Sequence, residues 1–303
     1  MNLSEAPLSP EFKSGFVSIV GAPNAGKSTL LNRILGQKIS ITSRKPQTTR
    51  NRILGIAKRP AAQIVFLDTP GVHQARSPLN VRIVNTALAT LGDVDVVLLL
   101  LDAAAPNPES ENVLVGALRK LKQPVILALN KIDLIGPEAP ATLLAVWRER
   151  FPFRAIEPIS AKHGSRVDRL LDGIESALPS GPAYFPPDDI TDLPERFIAA
   201  EMIREKVFRL TGQEIPYASA VTVDTFSEDP QRKLVTIHAT IHVERNSQKG
   251  ILIGKQGAKL KAIGAAARKD IEQMVGARVF LKLFVRVQKN WSTDTRALRK
   301  FGY

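Results

Sequence analysis

An α/β domain built on a mostly parallel, doubly wound sheet, followed by a smaller α+β domain, is the fold class that this 303-residue sequence predicts. Three observations carry the prediction. Apolar runs alternate with amphipathic segments as far as Leu178, the pattern of a parallel sheet with helices on both faces. The stretch Leu178-Pro179-Ser180-Gly181-Pro182, continued by Phe185-Pro186-Pro187-Asp188-Asp189, then has the residues of a linker. Beyond it the order changes to helix, strand, strand, helix, helix, strand. The expected organisation is an N-terminal extension over 1–13, a first domain over 14–180, a linker over 181–193, and a second domain with its tail over 194–303.

Each element has its own signal. Phe16–Val20 is apolar and β-branched, hence a strand, and the Gly-rich run after it opens a helix over Lys27–Leu35. Arg52–Ala57 and Ile64–Leu67 are short apolar runs, and Leu79–Leu91 has helical spacing. Val94–Leu101 is the longest apolar stretch; it contains Asp95 and is far too short to span a bilayer, so it reads as a buried central strand. Helices over Glu109–Leu121, Ala139–Arg150 and Val167–Leu178 alternate with strands over Val125–Leu129 and Ala155–Ile159. In the second domain Pro194–Leu210 has helical spacing, and Tyr217–Phe226 and Leu234–Val243 read as strands around a polar turn. Gly250–Gly257 then leads into a helix ending near Val275, and Arg278–Gln288 is a final strand.

Composition excludes several classes of chemistry. The chain has no Cys, which removes disulfide frameworks, thiolate metal sites and a Cys nucleophile, and 4 His are too few for a His-rich metal centre. His73 and His163 fall in loops; His238 and His242 fall in a strand, where a structural role is expected. No N-terminal stretch combines a basic start, an apolar core and a cleavage site, so a soluble, cytoplasmic protein is expected. The net charge of +13 is concentrated at one end. Met1–Ser180 holds 22 Lys+Arg against 15 Asp+Glu, Gly181–Glu244 6 against 11, and Arg245–Tyr303 14 against 3. That last block is interleaved with apolar positions, which suits a folded basic surface for a polyanion. Its aromatic residues are sparse, so base selection is expected from hydrogen bonding and shape rather than from stacking platforms.

The run Gly21-Ala22-Pro23-Asn24-Ala25-Gly26-Lys27-Ser28, between the first strand and the first helix, has the spacing and the setting of a P-loop. Its glycines let successive backbone N–H groups turn inward around a β-phosphate, and the helix N-terminus adds its positive end. Lys27 is placed to reach the β- and γ-phosphates and the Ser28 hydroxyl to meet Mg2+, with Thr29 following in the helix. Ile64–Leu67 ends in Asp68-Thr69-Pro70-Gly71, an Asp placed to hold Mg2+ through water and a Gly amide within reach of a γ-phosphate.

Two further strand ends select the base. Val125–Leu129 ends in Asn130-Lys131-Ile132-Asp133. An Asp carboxylate only accepts, so Asp133 pairs with the adjacent ring and exocyclic N–H donors that guanine has and adenine lacks. Asn130 can support the base and tie back to the P-loop, and the Lys131 stem can lie over the ring. Ile156–Ile159 leads into Ser160-Ala161-Lys162, a turn whose backbone N–H can meet the guanine carbonyl. Each fragment is weak alone. In this order, each at the end of an apolar run, they describe a guanine-nucleotide site in a P-loop GTPase domain.

In the second domain, Gly254-Lys255-Gln256-Gly257 would by itself be read as a turn using two glycines for positive φ. Its setting between two helical segments in a basic block, within the order of a type II KH domain, makes it an RNA clamp for about four nucleotides. Lys249, Gly250, Lys255, Gln256 and Lys259 surround the backbone path, and Ile251 and Ile253 line a groove for splayed bases.

With both sites in view the chain resembles the Era family of GTPases over essentially its whole length. The resemblance is carried by GAPNAGKS, KPQTTRNR within Ser40–Arg52, DTPGV, NKID, SAKHG, VERNSQKGILIGKQGAKLKAIG and the ending WSTDTRALRKFGY. It implies a GTP-hydrolysing switch whose KH domain binds near the 3′ end of the small-subunit rRNA and which assists assembly of the small ribosomal subunit. It also implies Mg2+ with GTP or GDP, a monomer, and a basic face that admits peripheral contact with the inner membrane. Thr48 or Thr49 is implied as the switch threonine reaching Mg2+ and the γ-phosphate; Thr49, directly before Arg50, is preferred. Lys27, Thr49 and Gly71 would then serve catalysis, and Ser28, Thr49 and Asp68 the metal. Relatives with Pro-Asn in the P-loop bind a monovalent cation, so Asn24 is either a K+ ligand or a plain spacer. Where Ras-like GTPases place a water-orienting Gln, this chain has Val72, with Gln74 a weak substitute, and slow intrinsic turnover is expected. Without GTP, Ile39–Lys45 is expected to be a polar, solvated loop. A second reading, a GTPase that modifies RNA, needs a further catalytic constellation that is not visible in residues 181–303.

Overall fold

The structure, a computed structural model, describes residues 11–42, 53–68, 91–212, 215–294 and 301. They fall into two compact units. Of the described residues, 11–36, 53–68 and 91–192 form the first, and 37–42, 193–212, 215–294 and 301 the second.

In the first unit β1 (Lys13–Gly21), β3 (Ala62–Asp68), β4 (Val96–Asp102), β5 (Val125–Asn130) and β6 (Ala155–Pro158) are parallel, and β2 (Ile53–Arg59) pairs antiparallel with β3. The sheet order is β2-β3-β1-β4-β5-β6. β3 and β5 are buried at every position, as continuous apolar runs are when both faces of a sheet are covered. Around them stand α1 (Lys27–Leu35), α2 (Pro108–Leu118), α3 (Ala139–Arg150) and α4 (Val167–Ala177). In α4 the buried positions Val167, Leu170, Leu171 and Ile174 recur at helical spacing and form one apolar stripe. At the start of α2, Asn107 Oδ1 accepts from the Ser110 N–H (3.0 Å) while Glu111 reaches back to the Asn107 N–H (3.0 Å), so two donors at the helix start gain side-chain acceptors. β4 begins at Val96 rather than Val94, because Asp95 turns its carboxylate to the Phe16 N–H (2.8 Å). The strand order reverses about β1, whose neighbours are β3 and β4, and a crevice beyond the carboxyl ends at such a switch point is where open α/β sheets take ligands. The expected helix over Leu79–Leu91 lies outside the described residues except for Leu91.

The second unit has the expected element order: α5 (Glu195–Leu210), β7 (Ala220–Asp229), β8 (Leu234–Val243), α6 (Asn246–Ile253), α7 (Ala258–Val275) and β9 (Arg278–Val287). β8 is the middle strand, antiparallel to β7 and parallel to β9. Ile237, Ala239 and Ile241 of β8 are fully buried on the face that α5 and α7 cover, with Ile263, Ala267 and Ile271 of α7 buried at matching spacing. β7 starts at Ala220, later than Tyr217, because the preceding residues turn: Ser219 Oγ donates to Pro216 O (3.1 Å) and Ala218 O accepts from Trp291 Nε1 (3.0 Å).

One expectation is corrected here. Ile39, Ser40 and Ile41 are buried, not solvated. They belong to the second unit, where Lys38 pairs with Glu205 and Asp270, and the Thr42 N–H and Oγ1 donate to Glu205 Oε1 at 3.3 and 3.1 Å. Apolar residues alternate in this segment and its cation meets two carboxylates, so burial outweighs its polar composition. Among the described residues no helix is long and apolar enough to cross a membrane.

Candidate functional site

The end of β1 delivers the Gly21–Ser28 run into α1. Asn24 (φ 65°) and Gly26 (φ 103°) take left-handed backbone conformations, so the chain doubles back before the helix begins. Two of its glycines leave no room for a side chain. A Cβ on Gly21 would stand 2.3 Å from Leu100 O, and one on Gly26 2.3 Å from Asn130 Nδ2. Inside the bend lies Lys27, buried, its Nζ donating to Gly21 O and Ala22 O at 3.0 Å each. Burial lowers the Lys27 ammonium from 10.5 to about 8, partly opposed by the negative charge of Asp68. An ammonium held against carbonyls it would exchange for phosphate oxygens is primed for an anion.

Ser28 and Asp68 meet at the mouth of this bend. Ser28 Oγ donates to Asp68 Oδ2 at 2.8 Å, and Asp68 is fully buried at the end of β3. The donors are hard oxygens, and among the described residues no group of three or more His, Cys, Asp or Glu is assembled. Such a sparse oxygen set suits Mg2+, which keeps several waters and takes its other ligands from phosphates.

The base side is organised by Asn130. Its Nδ2 donates to Ala25 O (2.8 Å) and its Oδ1 accepts from the Ala161 N–H (2.9 Å), so one buried amide joins the P-loop to the Ser160–Lys162 turn. Lys131 leaves β5 with φ 66° and pairs with Asp102 at the end of β4. Asp133 Oδ1 accepts from Ser160 Oγ at 2.6 Å and Oδ2 lies 3.6 Å from His163 Nε2. The Ser160 hydrogen bond is the main reason that its carboxyl is held below the usual carboxylate range, with His163 and Lys162 adding to it. Asp133 is therefore an ionised acceptor at neutral pH.

In the second unit, the loop between α6 and α7 takes the backbone that its glycines permit. Gly254 has φ 70° and a Cβ there would stand 2.7 Å from Lys259 Cβ; Gln256 (φ 52°) and Gly257 (φ 80°) are also left-handed. Lys255, Gln256 and Lys259 are exposed, Ile253 and Lys249 half-buried, and Gly250 exposed at the helix surface. Ile251 is 53% exposed, a large apolar side chain left in the open beside the loop.

The profile described as "50S ribosome-binding GTPase" matches residues 16–131, and that described as "KH domain" matches residues 214–292. The GTPase Era of Geobacter metallireducens is 58% identical over 292 residues, covering 96% of this chain and 98% of that protein. The GTPase Era of Geotalea uraniireducens is 55% identical, covering 97% and 98%. The chain belongs to the Era family of GTPases. Two solved Era structures are each 41% identical to it, covering 96% of this chain and 99% of theirs. One is a variant of Aquifex aeolicus Era bound to GDP and AlF4− (TM-score 0.92); the other is Era with MgGDPNP and nucleotides 1506–1542 of 16S ribosomal RNA (TM-score 0.91).

Of the positions that the Era resemblance singles out, the structure brings Gly21 to Thr29, Asp68, Asn130, Lys131, Asp133 and Ser160 to Lys162 to one end of one sheet. Thr48, Thr49, Gly71, Val72 and Gln74 lie outside the described residues. Two contributors were missed in the sequence. Arg33, on α1, donates from Nε to Ala161 O (3.3 Å) and also holds Lys162 O; Asp102 anchors Lys131 and caps the Ala104 N–H (3.0 Å). The strand-end position of Asp102, matching Asp68, was the available signal; Arg33 offers none.

Proposed function

We propose that this Era-family chain is a GTP-hydrolysing switch that binds small-subunit rRNA near its 3′ end and assists assembly of the small ribosomal subunit. The observation that carries the reading is the union, in one chain, of an Asn130-bridged cradle with an ionised Asp133 and an exposed Gly-x-x-Gly loop flanked by lysines. The relative solved with 16S nucleotides and a GTP analogue supports it.

In this reading Gly21–Thr29 wraps the β-phosphate with backbone N–H groups and Lys27 gives up its two carbonyls for β- and γ-oxygens. Asp133 accepts from the guanine N–H donors, the Lys131 stem covers one ring face, and the Ser160-Ala161-Lys162 turn meets the guanine carbonyl. Ser28, Asp68 and Thr49 would hold Mg2+, which would supply charge neutralisation to the phosphates. Lys27, Thr49 and the Gly71 amide would stabilise the charge that builds on them in the transition state. With Val72 where a water-orienting Gln would stand, intrinsic turnover is slow. Asn24, exposed at φ 65°, is assigned as a ligand of K+ beside the phosphates. Hydrolysis faster in KCl than in NaCl supports that role, and equal rates reject it. The GTPase domain runs over 14–180 and the KH domain over 194–303, joined by 181–193. The protein acts as a cytoplasmic monomer, its basic C-terminal block also meeting the inner membrane peripherally.

The decisive test replaces Lys255 and Gln256 together by Asp. Affinity for a 3′-terminal 16S rRNA fragment should collapse, and its salt dependence flatten as counterion release is lost. Unchanged RNA binding by a variant that melts like the wild type would reduce Gly254–Gly257 to a turn.

A further inference from the structure

The sheet of the second unit has a face that α5 and α7 do not cover, and β9 alternates strictly across it. Val279, Leu281, Leu283, Val285 and Val287 point inward, while Arg278, Phe280, Lys282, Phe284 and Arg286 are exposed. Phe280 is 54% and Phe284 44% exposed. Between them His238, opposite Lys282 in the β8–β9 register, presents its ring 6.4 Å from each, at 67° and 85°. Lys282 Nζ lies 5.3 Å from the Phe284 ring. We propose that this strip is a second platform for single-stranded RNA, on the opposite side of the sheet from the helices that carry the Gly-x-x-Gly loop.

The chemistry favours a nucleic acid strand over a protein surface. The two phenyl rings, four residues apart on one strand and so separated by about 13 Å, are rigid stacking surfaces. Three cations alternate with them, and β9 has no acid on this face. Protein interfaces deplete charge from their core, whereas a single strand supplies a base for each ring and a phosphate for each cation. The acidic residues of the face sit on β7, the far edge strand, where Asp224 is engaged by Thr240 Oγ1 (2.6 Å) and lies 3.3 Å from Thr222 Oγ1. The same face already holds one planar group. At its other end the Phe301 ring lies on His242, centroids 4.5 Å apart and tilted by 38°. A base on Phe280 or Phe284 would extend that arrangement along the sheet.

The inference rests on the reading that this chain binds rRNA, and the test separates the two. The full chain is titrated with the 16S fragment 1506–1542 and with a tetranucleotide that fills only the Gly-x-x-Gly clamp. Phe280→Ala with Phe284→Ala should weaken the long fragment by about 30-fold or more, taking the low end for two lost stacking contacts, and leave the tetranucleotide unaffected. Phe280→Trp with Phe284→Trp should keep long-fragment affinity, and the corresponding Leu pair should lose it, which separates stacking from apolar packing. Ultraviolet crosslinking of the wild-type complex should recover β9 peptides. The proposal is overturned if the Ala pair binds the long fragment like the wild type, or if it retains RNA but loses a ribosomal protein. If instead the Lys255–Gln256 double-Asp variant binds the tetranucleotide normally, the clamp assignment fails, while a loss in the Ala pair still supports the platform.

Discussion

Replacing Lys27 by Met should strengthen the nucleotide-free protein while weakening its grip on GTP. Holding the ammonium charged at about 8 rather than 10.5, at 1.36 kcal/mol per pH unit, costs the fold about 3 kcal/mol. Its two carbonyl contacts at 3.0 Å return roughly 1 kcal/mol each. Met removes both terms, leaving a gain of about 1 kcal/mol, or about 2–4 °C in the melting temperature of a unit this size. The pH dependence follows from the lowered folded value. Between pH 8 and 10.5 the unfolded chain binds a proton that the folded one does not, so wild-type stability rises with pH across that window. The advantage of Met is therefore full at pH 7, vanishes at about pH 9 and reverses above it, where the neutral amine no longer carries the cost of burial.

GTP affinity moves the other way, falling at least about 100-fold as charge-assisted contacts to phosphate oxygens are lost. Calorimetric melting of nucleotide-free protein at pH 7 and pH 10, with a GTP titration at pH 7, measures both. A variant that melts several degrees lower at pH 7, or a difference that does not shrink with pH, would refute the argument.

Asp133→Asn replaces an ionised acceptor by an amide; GTP binding should weaken about 100-fold or more and xanthosine triphosphate binding improve, because buried polar partners are left unpaired by the wrong base. Comparing the two titrations checks it, and intact GTP affinity would remove Asp133 from base recognition. Arg33→Ala removes the guanidinium that holds the carbonyls of Ala161 and Lys162. Affinity for GDP and GTP should fall equally, about 10-fold or more, taking the low end for one lost charged hydrogen bond, and a loss confined to GTP would place Arg33 on the phosphate side instead.

The nucleotide site was legible because its requirements are local. A strand end that must turn inside one residue needs Gly where a Cβ would meet Leu100 O or Asn130 Nδ2, and those glycines stand at fixed offsets in the chain. The type and order of the described elements were legible for the same reason, since periods of two and 3.6 are written into neighbouring residues. Arg33 and Asp102 were harder to see because their partners lie 128 and 29 residues away, and nothing beside them in the sequence declares the contact. Lys38 likewise meets Glu205 and Asp270 only in the folded chain.

The C-terminal strand is harder to read from composition. Counted along the whole basic block, aromatic residues are few, and that average argued against stacking. Strand pleat sorts residues by parity, so Phe280 and Phe284 share one face with Arg278, Lys282 and Arg286 while the aliphatic positions go to the other. The phase of the alternation decides what a partner meets, and on β9 it concentrates every ring and every cation on the side that water reaches.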